Sequence, residues 1–281
     1  MKKSVMLVML ISLMLAACNA FQGPVDIQVL RESRPVESAK ELSVDIKYDV
    51  GQLEITKTSD DLFAFDLEYD RNHYDPKFTF DAGERSSLRL ELNGHGGGFG
   101  SNSGHDNDLN LKLSDKIPID LNLTTGVSES RLEMTGIQVR RMRLRGGVGK
   151  TEVMFDKPSG QAMSSLDVES GVGELIMHGL GNAHVEQLDL KGGVGHTELD
   201  FTGDLGSTSM EARIKVGVGA VKLTVPREAD VDIEAEGSFL SNVSAPSFEH
   251  SGRNYTHRGG GAAKIRIHVE SGVGAVEIEL L

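Results

Sequence analysis

The sequence predicts an all-β fold, a coil of short stacked strands, on three observations. A Gly-Val-Gly motif recurs, with central valines at Val127, Val148, Val172, Val194, Val218 and Val273 and a looser copy at Val50. From Val127 to Val218 the intervals are 21, 24, 22 and 24 residues, a period that belongs to a solenoid or array rather than to one globular core. Around every valine the apolar residues alternate with the polar ones, and the alternation changes phase at the same place in each copy.

Before the valine lies a strand. The residues four positions upstream are Ile46, Leu123, Leu144, Val168, Leu190, Ile214 and Val269, all large aliphatics. Two upstream are Tyr48, Thr125, Gly146, Ser170, Gly192, Val216 and Ser271, which are mostly small. Polar residues flank them, as in Asp45-Ile46-Lys47 and Arg213-Ile214-Lys215. Period two with one apolar face describes a half-buried strand.

After the valine the apolar face resumes at plus three and plus five, in pairs such as Leu53/Ile55, Leu175/Met177 and Val221/Leu223. This odd step places a one-residue slip at the residue after the valine. That residue is Gly51, Gly149, Gly173, Gly195, Gly219 or Gly274, and only Ser128 departs. Glycine accepts φ > 0 and permits a bulge that re-aims the strand. The prediction is a corner, with strands on both sides facing one interior. Turn-rich stretches such as Asp156-Lys157-Pro158-Ser159-Gly160 and His178-Gly179-Leu180-Gly181-Asn182 then close each unit. Each unit is thus strand, corner, strand and turn in about 22 residues, with no helical pattern. Stacked as rungs about 4.8 Å apart, the units align valines and corner glycines into ladders. A sandwich of hairpins shares the alternation but does not require one corner in every copy.

Composition narrows the function. The chain of 281 residues carries a formal net charge of −13, with 33 glycines and no tryptophan. So acidic a surface repels phosphate backbones, which disfavours nucleic-acid partners. A single cysteine, Cys18, excludes intramolecular disulfides. Lys2 and Lys3 precede an apolar run, Val5 to Leu15, that ends in Leu15-Ala16-Ala17-Cys18. This is an export signal, and the run is short for a bilayer span. Leu-Ala-Ala-Cys resembles the lipobox of bacterial lipoproteins. The resemblance implies a signal peptide over residues 1–17, cleavage before Cys18, diacylglycerol on its thiol and fatty acylation, palmitate included, of the new amine. Two or three chains anchor stably to a membrane. By the sorting rule of enteric-type lipoproteins, Asn19 points to the outer membrane where there are two. Residues 18–40, with Pro24 and Pro35, read as a tether, and residues 41–281 as the coil.

Two stretches break the period, at about 94–110 and 237–262. The first is rich in glycine and polar residues: a flexible surface loop, or a cation site built from Asp106, Asp108 and His95 or His105. The second, with Phe239, Phe248, Tyr255 and Gly259-Gly260-Gly261, reads as a cover for a coil face or edge, with Phe239 in a corner-valine position, or as a partner-binding loop. Gly146-Gly147-Val148-Gly149-Lys150-Thr151 imitates the end of a phosphate-binding loop. Leu144 stands where that loop needs its first glycine, and a strand-like segment follows where it needs a helix. The nine histidines form no close pair of metal-ligand spacing, and no cofactor motif is present.

The repeated corners, with Tyr48-Asp49-Val50-Gly51-Gln52-Leu53-Glu54-Ile55, resemble the bacterial toast-rack domain. The ending, Arg258-Gly259-Gly260-Gly261-Ala262-Ala263-Lys264-Ile265 and Glu270-Ser271-Gly272-Val273-Gly274, resembles related "putative-adhesin" and envelope-stress-response proteins. Covering residues 41–281, the resemblance implies a right-handed β-helix-like solenoid and an extracytoplasmic role. The expected function is a noncatalytic, lipid-anchored scaffold, adhesin-like or interaction module of the cell envelope. An accessory of envelope-stress or antibiotic-response signalling is the alternative. A β-helix polysaccharide enzyme is a third reading, resting on a partial acidic ladder of Glu152, Glu174, Glu198 and Glu277. The chain ends inside a strand. Unless the insertion at 237–262 covers it, that strand's edge offers backbone groups to a protein partner or a second copy.

Overall fold

A strand whose apolar alternation slips at a glycine bends there instead of ending. The computed structural model describes residues 25–95, 107–237 and 241–281, all of them strand, turn or loop. In chain order its strands are β1 (Ile27–Pro35), β2 (Glu41–Thr58), β3 (Asp61–Asp70), β4 (Tyr74–Asp81), β5 (Arg85–Gly94), β6 (Asp108–Ser114), β7 (Ile119–Glu133) and β8 (Val139–Met154). There follow β9 (Ser165–His178), β10 (Gln187–Asp200), β11 (Ser209–Val225), β12 (Asp230–Gly237), β13 (Ser241–Ser244), β14 (Glu249–Ser251), β15 (Asn254–Arg258) and β16 (Lys264–Leu280).

The seven motif-bearing strands, β2, β7, β8, β9, β10, β11 and β16, stack in parallel in that order. Their corner valines pair in one register, Val50 with Val127 and onward through Val148, Val172, Val194 and Val218 to Val273. The predicted β-solenoid and its ladders are therefore the observed architecture. Each strand has a first arm before the corner and a second arm after it. All seven residues four upstream of the valine are buried, as are Leu53, Ile55, Leu132, Val153, Leu175, Met177, Leu199, Leu223 and Ile278 on the second arm.

Corner glycines are required twice over. Gly51, Gly149, Gly173, Gly195, Gly219 and Gly274 have φ between 132° and 143°, a region L-residues rarely enter. A Cβ on Gly195 would also run into the carbonyl oxygen of Gly173 on the preceding rung, and one on Gly219 into that of Gly195. Ser128 keeps the register without a positive φ, its Oγ 3.1 Å from Ser130 Oγ.

The turn stretches do more than reverse the chain. Phe155, Leu180, Val185, Phe201 and Leu205 are buried and form a third inner wall. Backbone bonds stack this wall too, from Phe155 N to His178 O (3.1 Å), Leu180 N to Asp200 O (2.9 Å) and Phe201 N to Thr224 O (2.8 Å). Asn182 spans three coils, donating to Phe155 O at 2.7 Å and accepting from Asp204 N at 2.8 Å.

Both ends of the stack close in one manner, with a rung split at the corner and an antiparallel strand beyond it. At the start, β5 stacks on the first arm of β2 and β6 on the second. Then β4 pairs β5, while β3 and β1 continue from β6, all antiparallel. At the finish, β12 stacks on the first arm of β16 and β13 on the second, with β15 and β14 antiparallel beyond β12. The stretch at 94–110 thus lies between β5 and β6 in the chain, and the stretch at 237–262 supplies β13, β14 and β15. The insertion at 237–262 does cover the last strand: β16 is paired on both sides over Lys264–Ser271 and Gly274–Glu277. Docking at an open β16 edge has no edge to use there. A second expectation is also corrected. Residues 27–35, read as tether, form β1, which pairs β3 at nine positions. The prolines suggested a spacer, but Pro35 only ends the strand, where its missing N–H breaks no ladder.

Candidate functional site

Strand bends that turn apolar arms inward push the corner residue outward. The corner valines from Val127 to Val273 are 40–50 % exposed. They form an apolar rib, one side chain per rung, with glycine on both sides of every valine but Val127, which Ser128 follows. Because the valine side chain leaves little surface behind, Val194→Ser is expected to change stability by less than about 1 kcal/mol. Urea denaturation against wild type checks it.

Beside the rib, the first arms carry charged residues three and five positions before Val148, Val172, Val194 and Val218. Rungs are tied by Arg143–Asp167 (3.3 Å), Arg145–Glu169 (3.5 Å), Arg213–Asp189 (3.7 Å) and Lys215–Glu270 (2.8 Å). Opposite charges directly across strands stabilise a sheet modestly. Towards the end of the stack this face curves into a trough of about 480 Å³, lined by Glu211, Arg213, Asp232, Glu234, Arg266 and His268.

At the trough's edge Glu236, His268 and Glu270 bring ligand atoms within 4.8 Å of one another, the one such grouping among the described residues. The His268 ring faces Glu234 through Nδ1 at 3.3 Å and Glu270 through Nε2 at 3.0 Å. Its bond to Glu270, opposed by partial burial and reinforced by Glu234, raises its pKa above the ordinary value. Lys215 holds Glu270 at 2.8 Å and Arg253 holds Glu236 at 2.8 Å. The carboxylates are thus balanced by the protein's own cations, and the arrangement is an ion-pair network tying β12 to β16.

Of the residues marked out in the sequence, Cys18, Asp106, His105 and Phe239 lie outside the described residues. Asp108 opens β6 and accepts from Asn110 Nδ2 at 2.8 Å, while the His95 amide donates to His73 O at 2.6 Å. Among the described residues, Asp108 belongs to no group of three ligand-type side chains. The phosphate-loop imitation at 146–151 is the middle of β8, a corner with strand on both sides. The acidic ladder is interrupted. In register, Glu152 faces Ile176, Glu198 faces Lys222, and Lys222 faces Glu277. Lys150 lies 4.0 Å from both Glu152 and Glu174.

A buried polar centre escaped the sequence reading. Asp70, at 0 % exposure, accepts from the Asp26 amide at 3.0 Å and the Asn72 amide at 3.1 Å, and its Oδ2 lies 2.5 Å from His73 Nδ1. Burial opposes its ionisation, but the Asp26 amide, the His73 ring and the Asn72 amide together hold its carboxyl below the usual range. The only local signal is an Asp and a His three residues apart in a turn. Asp26, which it anchors, is 44 residues away.

Comparison with known proteins follows this geometry. The family model described as the N-terminal domain of toast_rack, DUF2154, matches residues 24–178 and again 161–224. The chain belongs to the toast-rack family. Among solved structures, a "putative cell adhesion protein" from Clostridium sporogenes is similar at 20% identity and a TM-score of 0.50, over 91% of this chain and 100% of that one. A "putative adhesin" from Bacteroides fragilis matches at 12% identity and 0.42, over 90% and 97%. Another from Parabacteroides distasonis matches at 11% identity and 0.40, over 92% and 98%. At 20% identity, the likeness to the Clostridium sporogenes structure speaks for the fold alone. No curated protein matches.

Proposed function

We propose that this toast-rack protein is a lipid-anchored, extracytoplasmic contact module of the bacterial cell envelope, adhesin-like and without a catalytic role. The observation that carries this reading is the solenoid's outer surface. It presents a rigid apolar rib and flanking charge ladders whose ions are partnered across rungs. Such a repetitive surface suits contact with a partner along its length. The description of the Clostridium sporogenes structure as a "putative cell adhesion protein" supports the reading. Anchoring rests on Leu15-Ala16-Ala17-Cys18, seven residues upstream of Val25, so that the anchor and the start of the rack are close along the chain.

Cys18→Ser is expected to move the protein from the membrane fraction to the soluble extracytoplasmic fraction. Mass spectrometry of the wild-type N-terminal peptide is expected to show acyl chains on Cys18. An unmodified Cys18 in membranes of the native host would overturn the anchor. Adhesion is measured separately, by binding of beads coated with the protein to host or matrix surfaces. Binding that survives replacement of the rib valines by serine would remove the rib from the reading.

A further inference from the structure

Among the described strands the open edges are β1, β4, β13 and β14, and they differ in character. β13 and β14 have four and three residues. β4 is guarded by Pro76, which has no N–H, and by Asp75, Lys77 and Asp81. β1 pairs β3 alone among the described strands, and its charges and proline, Arg31, Glu32, Arg34 and Pro35, begin only at its fifth residue, leaving the start of the edge unguarded. Its outer row opens with Val25, Ile27 and Val29, exposed by 46, 37 and 44 %. Apart from the corner valines and Leu281, these are the only large hydrophobics so exposed among the described residues. A long edge that leads with apolar side chains is the kind natural proteins otherwise protect.

We propose that β1 is a dimer strand, pairing antiparallel with β1 of a second copy about a twofold axis through Ile27. A twofold interface must be self-complementary, each residue meeting its counterpart under reversal. Reversal about Ile27 sets Val25 opposite Val29, Ile27 opposite its copy, and Val29 opposite Val25. On the other face it sets Asp26 opposite Gln28, side chains that already hydrogen-bond within one chain at 2.8 Å. Centring on Val29 instead places Ile27 against Arg31. Centring on Gln28 places Val25 against Arg31. Only the axis at Ile27 keeps the apolar row together and leaves Arg31 with Asp66, its ion-pair partner at 2.5 Å. The result is one sheet running from β6, β3 and β1 of one copy into β1, β3 and β6 of the other. This inference is independent of the adhesin reading, since it concerns an edge remote in sequence from the rib.

The test uses the full chain. Sedimentation equilibrium of the wild-type protein in detergent is expected to give a dimer, and Ile27→Lys a monomer. In a Cys18→Ser background, which has no other cysteine, Ile27→Cys is expected to cross-link under mild oxidation. At the axis the two Cα atoms stand about 4.5–5.5 Å apart, within disulfide reach. Ser33→Cys, on the same row but displaced from the axis, is expected to stay uncross-linked. A mixture of Val25→Cys and Val29→Cys is expected to cross-link more than either alone, which protects the test should the Ile27 variants misfold. A monomeric wild type, or equal cross-linking of the Ile27 and Ser33 variants, would overturn the proposal.

Discussion

Gly195→Ala is expected to destabilise the protein by about 2–6 kcal/mol, whereas Val194→Ser beside it has little effect. Holding a non-glycine residue at a φ of 143° costs on the order of 1–3 kcal/mol. Forcing a methyl into a close-packed site costs a further 1–3 kcal/mol or so. The obstacle is the Gly173 carbonyl, a backbone group whose position is set by the hydrogen bonds of its own rung. Moving it means opening the β9–β10 ladder, which has pairs on both sides of the corner. Neither strain nor clash has a flexible side chain to absorb it. Urea midpoints of the two variants decide the matter, and a Gly195→Ala shift under about 1 kcal/mol would show that the corner can relax.

The second large effect is at Asp70. Replacing it by alanine removes the acceptor of two amides and the partner of His73 at a side chain that is itself fully buried. Losing a buried, hydrogen-bonded carboxylate costs about 3 kcal/mol, because the donors are left without partners. The dependence on pH has a definite sign. The folded carboxyl titrates below its ordinary value, so the stabilisation it gives is fully present above the unfolded pKa of about 3.9. It is lost as pH falls through the lower, folded value. Wild type and Asp70→Ala should therefore differ most near neutral pH and converge in acid. Denaturation at pH 7 and in strong acid measures this, and an equal gap at both would rule out the charge as the source. Since Asp70 holds the Asp26 amide, the variant is also expected to expose β1 amides to faster hydrogen exchange.

How legible these features were in the sequence follows from their range. The corner was readable because only glycine tolerates both a positive φ and a carbonyl one rung away, so the requirement shows as glycine in every copy but the one at Ser128. The arms were readable because burial on one face imposes period two. The third wall was not. Leu180 and Phe201 are single apolar residues among turn formers, with no period to reveal that they are buried. The tether was misread for the opposite reason. Two prolines signalled a spacer, while β1 depends on β3, some thirty residues on in the chain. The charge ladders join residues more than twenty positions apart, such as Arg143 with Asp167, and the pairings emerge only once the register is known.

The sequence by itself determined the repeating unit, a strand bent at glycine, because that bend is a local backbone property repeated in every copy. The expectation of a lipid address at Cys18 likewise rests on a short motif, Leu15-Ala16-Ala17-Cys18. The tertiary structure decided how the stack ends. Whether a terminal rung lies open or covered depends on which distant strands compete for its hydrogen bonds. At β16 the winners were β12 and β13, and at the other end β1 pairs β3 alone among the described strands.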